Sequence, residues 1–93
     1  MIYAYAKLTV TNPDSLAKYR EVAGPALARH GGKVEQASAN SMGIDGTPDV
    51  PDVAAILSFP DKDSALGWIN DPELADVHAL RREAGGSDIV LLG

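Results

Sequence analysis

Cysteine is absent from this 93-residue chain, which excludes disulfide staples, thiolate metal sites and cysteine nucleophiles. Aromatic side chains are scarce, with one Trp, one Phe and three Tyr, so each ring takes a position worth following. Basic clusters are missing too. The eight Lys and Arg are scattered against thirteen Asp and Glu, giving a net charge of −5, and phosphate binding needs concentrated positive charge; no nucleic-acid partner is expected. No apolar run is long enough to span a bilayer, and no basic start precedes an apolar stretch, so neither membrane insertion nor secretion is expected and the expected location is cytoplasmic. GxSxG, HExxH and GxxxxGK[ST] do not occur, which removes several hydrolase and nucleotide-binding readings, and no cofactor is expected.

What is present is ordinary for a globular protein: 45% hydrophobic and 23% charged residues. The length fits one domain, residues 1–93, that buries only about 60–65% of its unfolded surface, so stability is expected to be modest without a partner.

The hydrophobic patterning alternates between strand and helix periods. From Ile2 to Val10 the even positions are apolar and the odd ones carry Tyr3, Tyr5, Lys7 and Thr9, a period of two that predicts a strand with unlike faces. Asn12-Pro13-Asp14 then provides an N-cap, a proline where its missing N–H is harmless, and an acid at the positive helix end. Leu16, Tyr19, Ala23, Leu27 and His30 share one helical face, Gly24-Pro25 predicts a kink, and Gly31-Gly32 ends the helix. Lys33 to Ala39 reads as an extended strand, and Asn40 to Asp52, rich in Gly, Pro and Asp, as an exposed connection. Val53 to Phe59 is apolar on both alternating sets, as in a strand covered on both sides. A helical region starts at Asp61 and restarts at Asp71-Pro72-Glu73, with Leu74, Val77, Leu80 and Ala84 facing inward and Arg81 and Arg82 near its negative end. After Gly85-Gly86, Ile89 to Leu92 reads as the last strand.

This β-α-β-β-α-β order predicts an α+β domain in which two helices cover one face of a four-stranded sheet. The other face measures on the order of 300 Å² in projection, from the usual strand spacing and rise. Strands three and four are apolar toward it, and an exposed apolar patch of that size points to an interface. The expectation is a homodimer in which two uncovered faces pack about a two-fold axis. The alternative is a monomer whose second face is covered by the Asn40 to Asp52 connection.

Several segments are familiar as a set: Tyr5, Asn12-Pro13-Asp14, Tyr19-Arg20, Gly24-Pro25, His30-Gly31-Gly32-Lys33, Ser58-Phe59-Pro60, Ala65 to Leu74 and Ala79-Leu80-Arg81-Arg82. Together they resemble the domain of unknown function 1330 family over essentially the whole chain. The resemblance implies a ferredoxin-like βαββαβ sandwich with an antiparallel four-stranded sheet, forming a dimeric α+β barrel. That architecture is shared with cofactor-free antibiotic-biosynthesis monooxygenases, while the family has no established general activity. The chain departs from the family pattern at Val50-Pro51-Asp52, at Ser58 and at Leu74, where polar or aromatic residues are usual, which weakens any transfer of a site.

His30 and His78 are the residues that titrate near neutrality and are general acid-base candidates, although helix-end solvation accounts for both. His78 and Arg82, four apart, adjoin on one helix and could line an anion pocket. Tyr3, Tyr5, Lys7 and Trp68 are the candidate ligand-binding residues: Tyr3 and Tyr5 carry hydroxyls that seek partners, Lys7 offers positive charge to an acidic small molecule, and Trp68 is explained more simply by core packing. Asp45, Asp49 and Asp52 lack calcium-loop spacing, so no metal is expected. The leading functional expectation is a homodimer binding a small organic molecule between sheet and helices. Fold analogy offers a cofactor-independent oxygenase or isomerase using Tyr5, His78 and Arg82, and a structural or interaction module is the third reading.

Overall fold

Asn12 begins the first helix as its chemistry dictates, its side-chain oxygen accepting from the Ser15 N–H at 3.2 Å with Pro13 next in line. The computed structural model describes residues 1–93 and gives the order β1 (Ile2–Leu8), α1 (Pro13–Ala28), β2 (Lys33–Ser38), β3 (Val53–Phe59), α2 (Lys62–Asn70), a single 3₁₀ turn (Pro72–Leu74), α3 (Ala75–Glu83) and β4 (Ser87–Leu91). Helix α1 runs through Pro25 without a break. Asp61 caps α2 by accepting from the Ser64 N–H at 2.8 Å, and Asp71 caps the 3₁₀ turn by accepting from the Glu73 N–H at 2.9 Å. The second helical region is therefore two segments, as the repeated cap-proline signal predicts.

The strands form one antiparallel sheet in the order β2-β3-β1-β4, the ferredoxin-like arrangement. Register divides its residues cleanly. Ala4, Ala6 and Leu8 of β1 align with Leu57, Ala55 and Val53 of β3, and Ala4 and Ala6 with Leu91 and Ile89 of β4; this face lies under the helices. The small Ala4 and Ala6 let Leu27, Phe59 and Trp68 pack closely over the sheet centre, and all five are buried.

Tyr3, Tyr5 and Lys7 share the opposite face with Ala54, Ile56, Ser58, Val90 and Leu92, where period two places them. No helix covers that face. Tyr3 is 42%, Val90 56% and Leu92 53% exposed. The connection from Ala39 to Asp52 does not blanket it, since Met42 and Ile44 are 79% and 88% exposed, although Asp49 to Pro51 stand beside Lys7 and Asp88 at one end.

Strand β2 is an edge, mostly exposed, and a bulge between Val34 and Gln36 turns Glu35 so that it accepts from the Ser58 hydroxyl at 2.7 Å. At the other end of the sheet the exit of β1 is tied to the α3–β4 turn: Thr11 and Asn12 N–H groups both donate to the Ala84 carbonyl, at 2.7 and 2.9 Å. Gly85 sits there at φ +152°, and a Cβ would overlap the Thr9 carbonyl. No helix is long and apolar enough to cross a membrane.

Candidate functional site

Between α1 and the covered face of the sheet lies a cavity of about 330 Å³, near the lower end of the roughly 300–1,000 Å³ range of ligand pockets. Its existence follows from side-chain size. Ala6, Ala23, Ala37 and Ala55 and Gly24 surround it where larger residues would fill the layer, and Leu8, Leu16, Leu27, Leu57 and Ile89 supply apolar walls. It reaches outward toward edge strand β2, where Val34 and Ala37 are exposed.

The charged residues lining the cavity are both arginines, Arg20 from α1 and Arg81 from α3. Arg20 is exposed, whereas Arg81 is only 3% exposed. Its Nε donates to the Ser87 hydroxyl at 3.0 Å and its Nη1 to His78 Nδ1 at 2.8 Å. The guanidinium carbon lies 5.6 Å from the Tyr19 ring centroid and 5.3 Å from that of Trp68, within cation–π range. None of the chain's ion pairs includes Arg81, and Nη2 has no hydrogen-bond partner within the chain. A buried cation ordinarily has a counter-charge, because burial removes its hydration.

His78, 2% exposed, fixes that cation. Arg81 donates to its Nδ1, so the ring proton belongs on Nε2, which donates to the Trp68 carbonyl at 2.9 Å. Burial pulls the His78 pKa below the usual histidine value; the Trp68 carbonyl opposes that shift and the Arg81 and Arg82 charges reinforce it. The ring stands edge-on to Trp68, centroids 4.8 Å apart.

The residues singled out in the sequence fall on separate surfaces. Tyr3, Tyr5 and Lys7 lie on the open face of the sheet, while Trp68 and His78 are buried on the helix side, so the sheet separates them. Trp68 packs on Phe59 with centroids 5.6 Å apart, and its indole N–H has no hydrogen-bond partner. Arg82 is exposed and lines no cavity with His78; the arginine that meets His78 is Arg81, three residues on. Leu80, expected to face inward, is half-buried. His30 lies apart from the cavity, Nε2 2.9 Å from Asp71 Oδ2, in a cluster where Arg29 also pairs with Asp71 at 3.1 Å and with Glu73. The His30 contact, the Glu73 N–H and the Arg29 charge hold the Asp71 carboxyl below its ordinary pKa. Asp52 accepts from the Val10 N–H at 2.8 Å, and no cluster of three acids or histidines has metal-ligating geometry.

Arg81 and Tyr19 had a legible signal in the sequence. Leu74, Val77, His78, Arg81 and Ala84 recur at spacings of three and four, the stripe that turns inward, and Arg81 lies on it. Reading a basic residue at a helix C-terminus as a dipole partner hides that position.

The topology and the covered-face cavity together define a ferredoxin-like α+β protein with one open sheet face. The sequence matches the family described as Domain of unknown function (DUF1330) over residues 1–93, and the chain belongs to that family. Among solved structures it is similar to RPA0582, a protein of unknown function from Rhodopseudomonas palustris, with a TM-score of 0.70 and 23% identity over 98% of this chain and 79% of that one. The methylated form of RPA0582 gives the same TM-score and identity over 98% of this chain and 78% of that one. No curated protein matches the chain.

Proposed function

We propose that this chain is a cytoplasmic, homodimeric binding protein that holds a small organic molecule in the cavity between α1 and the sheet. The observation that carries the reading is the cavity itself: about 330 Å³, walled by twelve hydrophobic residues out of fifteen, with Arg20 and Arg81 also in its lining. Because the pocket opens toward β2, its apolar walls face water, and a ligand with a hydrocarbon body removes that surface from water.

The open face supports the dimer. Its centre is Tyr3, Tyr5, Ile56 and Val90, and its end carries Lys7 opposite Asp88 in register, so a two-fold copy meets both charge signs there. The sheet face alone is small beside the roughly 800 Å² per partner of standard interfaces. Met42, Ile44 and Val50 on the neighbouring connection are exposed apolar side chains that add to the contact.

The test is thermal-shift screening of small apolar molecules against the wild type and Ala55→Leu, whose larger side chain projects from the covered face into the cavity. Ligands stabilise the wild type and leave the plugged variant unmoved. No stabilisation by any compound, or equal stabilisation of both proteins, contradicts the reading.

A further inference from the structure

We infer that the cavity selects a small, singly charged apolar acid, whose carboxylate pairs with the free edge of the Arg81 guanidinium while its hydrocarbon body fills the space beneath α1. The inference rests on the cavity being a ligand site and adds the chemical class. Two independent observations carry it. The first is charge: every charged residue lining the cavity is an arginine, and Arg81 is 3% exposed with no carboxylate paired to it. In a chain with thirteen acids and eight Lys and Arg, a buried guanidinium without an acid partner is a site from which the chain's own acids are excluded.

The second is geometry. Nε and Nη1 are occupied by neutral acceptors, the Ser87 hydroxyl and His78 Nδ1, which orient the planar group without cancelling its charge. Nη2 is left over, and a carboxylate is the acceptor that a guanidinium edge fits best. Tyr19 lies against the same guanidinium, lines the cavity, and its hydroxyl has no partner within the chain. His78 and Ser87 are positioning residues for Arg81. Of the two lining arginines only Arg81 is buried, so the interior of the cavity offers a counter-charge to one carboxylate, and the class it favours is the monoacid.

Calorimetric titration of benzoate, phenylacetate and cyclohexanecarboxylate, each beside its primary amide, tests this. The acids bind and the amides bind at least about 30-fold more weakly, equivalent to ~2 kcal/mol. Arg81→Met brings each acid down to the affinity of its amide. Should Arg81→Met fail to fold, Arg81→Lys keeps the charge and loses the planar fork, and the acids weaken about tenfold while still exceeding the amides. Ala55→Leu abolishes binding of acids and amides alike. Equal binding of acid and amide to the wild type overturns the charge inference and leaves the cavity reading standing. Absence of binding by every probe, or acid binding that survives Ala55→Leu, overturns both.

Discussion

Arg81 donates from Nη1 to His78 Nδ1 across one turn of α3, at 2.8 Å, and this single contact decides which histidine tautomer the fold contains. With Nε2–H committed to the Trp68 carbonyl, the ring has neither a free proton to give nor a free lone pair to accept one. His78 is then a spacer between a helix α2 carbonyl and a buried cation.

The neutral state of His78 makes folding pH-dependent. Its native pKa is lowered from 6.5 by burial, so between that lowered value and 6.5 the unfolded chain binds more protons than the folded one. Stability is at its full value above 6.5 and falls as pH drops through this window. Urea unfolding at steps from pH 7.5 to 5.5 should show that fall, and His78→Gln, which can still accept from Arg81 and donate to Trp68, should flatten it.

A second acid limb arises from carboxylates. Asp71, Asp61 and Glu35 all have native pKa values below their ordinary ones, held by His30, by Ser64 and by Ser58 respectively as the leading cause. Depressed carboxylate values mean stability that is present above the ordinary value, about 4, and lost as pH falls through the native one. Asp71→Asn should lower stability at neutral pH and make the loss below pH ~4 shallower, read by the same urea series.

Gly85 cannot be replaced quietly. A Cβ at φ +152° would run into the Thr9 carbonyl at the point where β1 leaves the sheet. Gly85→Ala is expected to cost about 2 kcal/mol or more, whereas Gly24→Ala, with open space around its Cβ and a helical backbone, should be neutral or stabilising by up to ~1 kcal/mol. Denaturant midpoints of the two variants compare them directly.

The proposed dimer predicts a charge-sensitive open face. Ile56→Asp or Val90→Asp places a carboxylate at its centre without touching the covered core. Sedimentation velocity at micromolar concentration should show the wild type as a dimer and both variants as folded monomers. A monomeric wild type removes the dimer from the account.

The backbone architecture was legible because its signals are local. Asn12-Pro13, Asp61 and Asp71-Pro72 start their helices where capping chemistry requires, and the period-two run of β1 assigns Tyr3, Tyr5 and Lys7 to one face before any tertiary information is used. The cavity was not legible in that way. It arises where alanines from β1, β2, β3 and α1 meet, a coincidence of four elements far apart in sequence. That Arg81 rather than Arg82 meets His78 is not legible from spacing, because spacings of three and four both adjoin on a helix and only burial distinguishes the two.

The most direct measurement is an NMR titration of the isotope-labelled protein with benzoate, following the Arg81 Nε–H and the methyl groups of Leu16, Leu27, Leu57 and Ile89. The account predicts that these signals move together and saturate, with the Val90 methyls unmoved and benzamide at equal concentration giving much smaller methyl shifts and leaving the Arg81 Nε–H in place. Shifts confined to Tyr3, Val90 and the open face, or an Arg81 signal indifferent to benzoate, would contradict it.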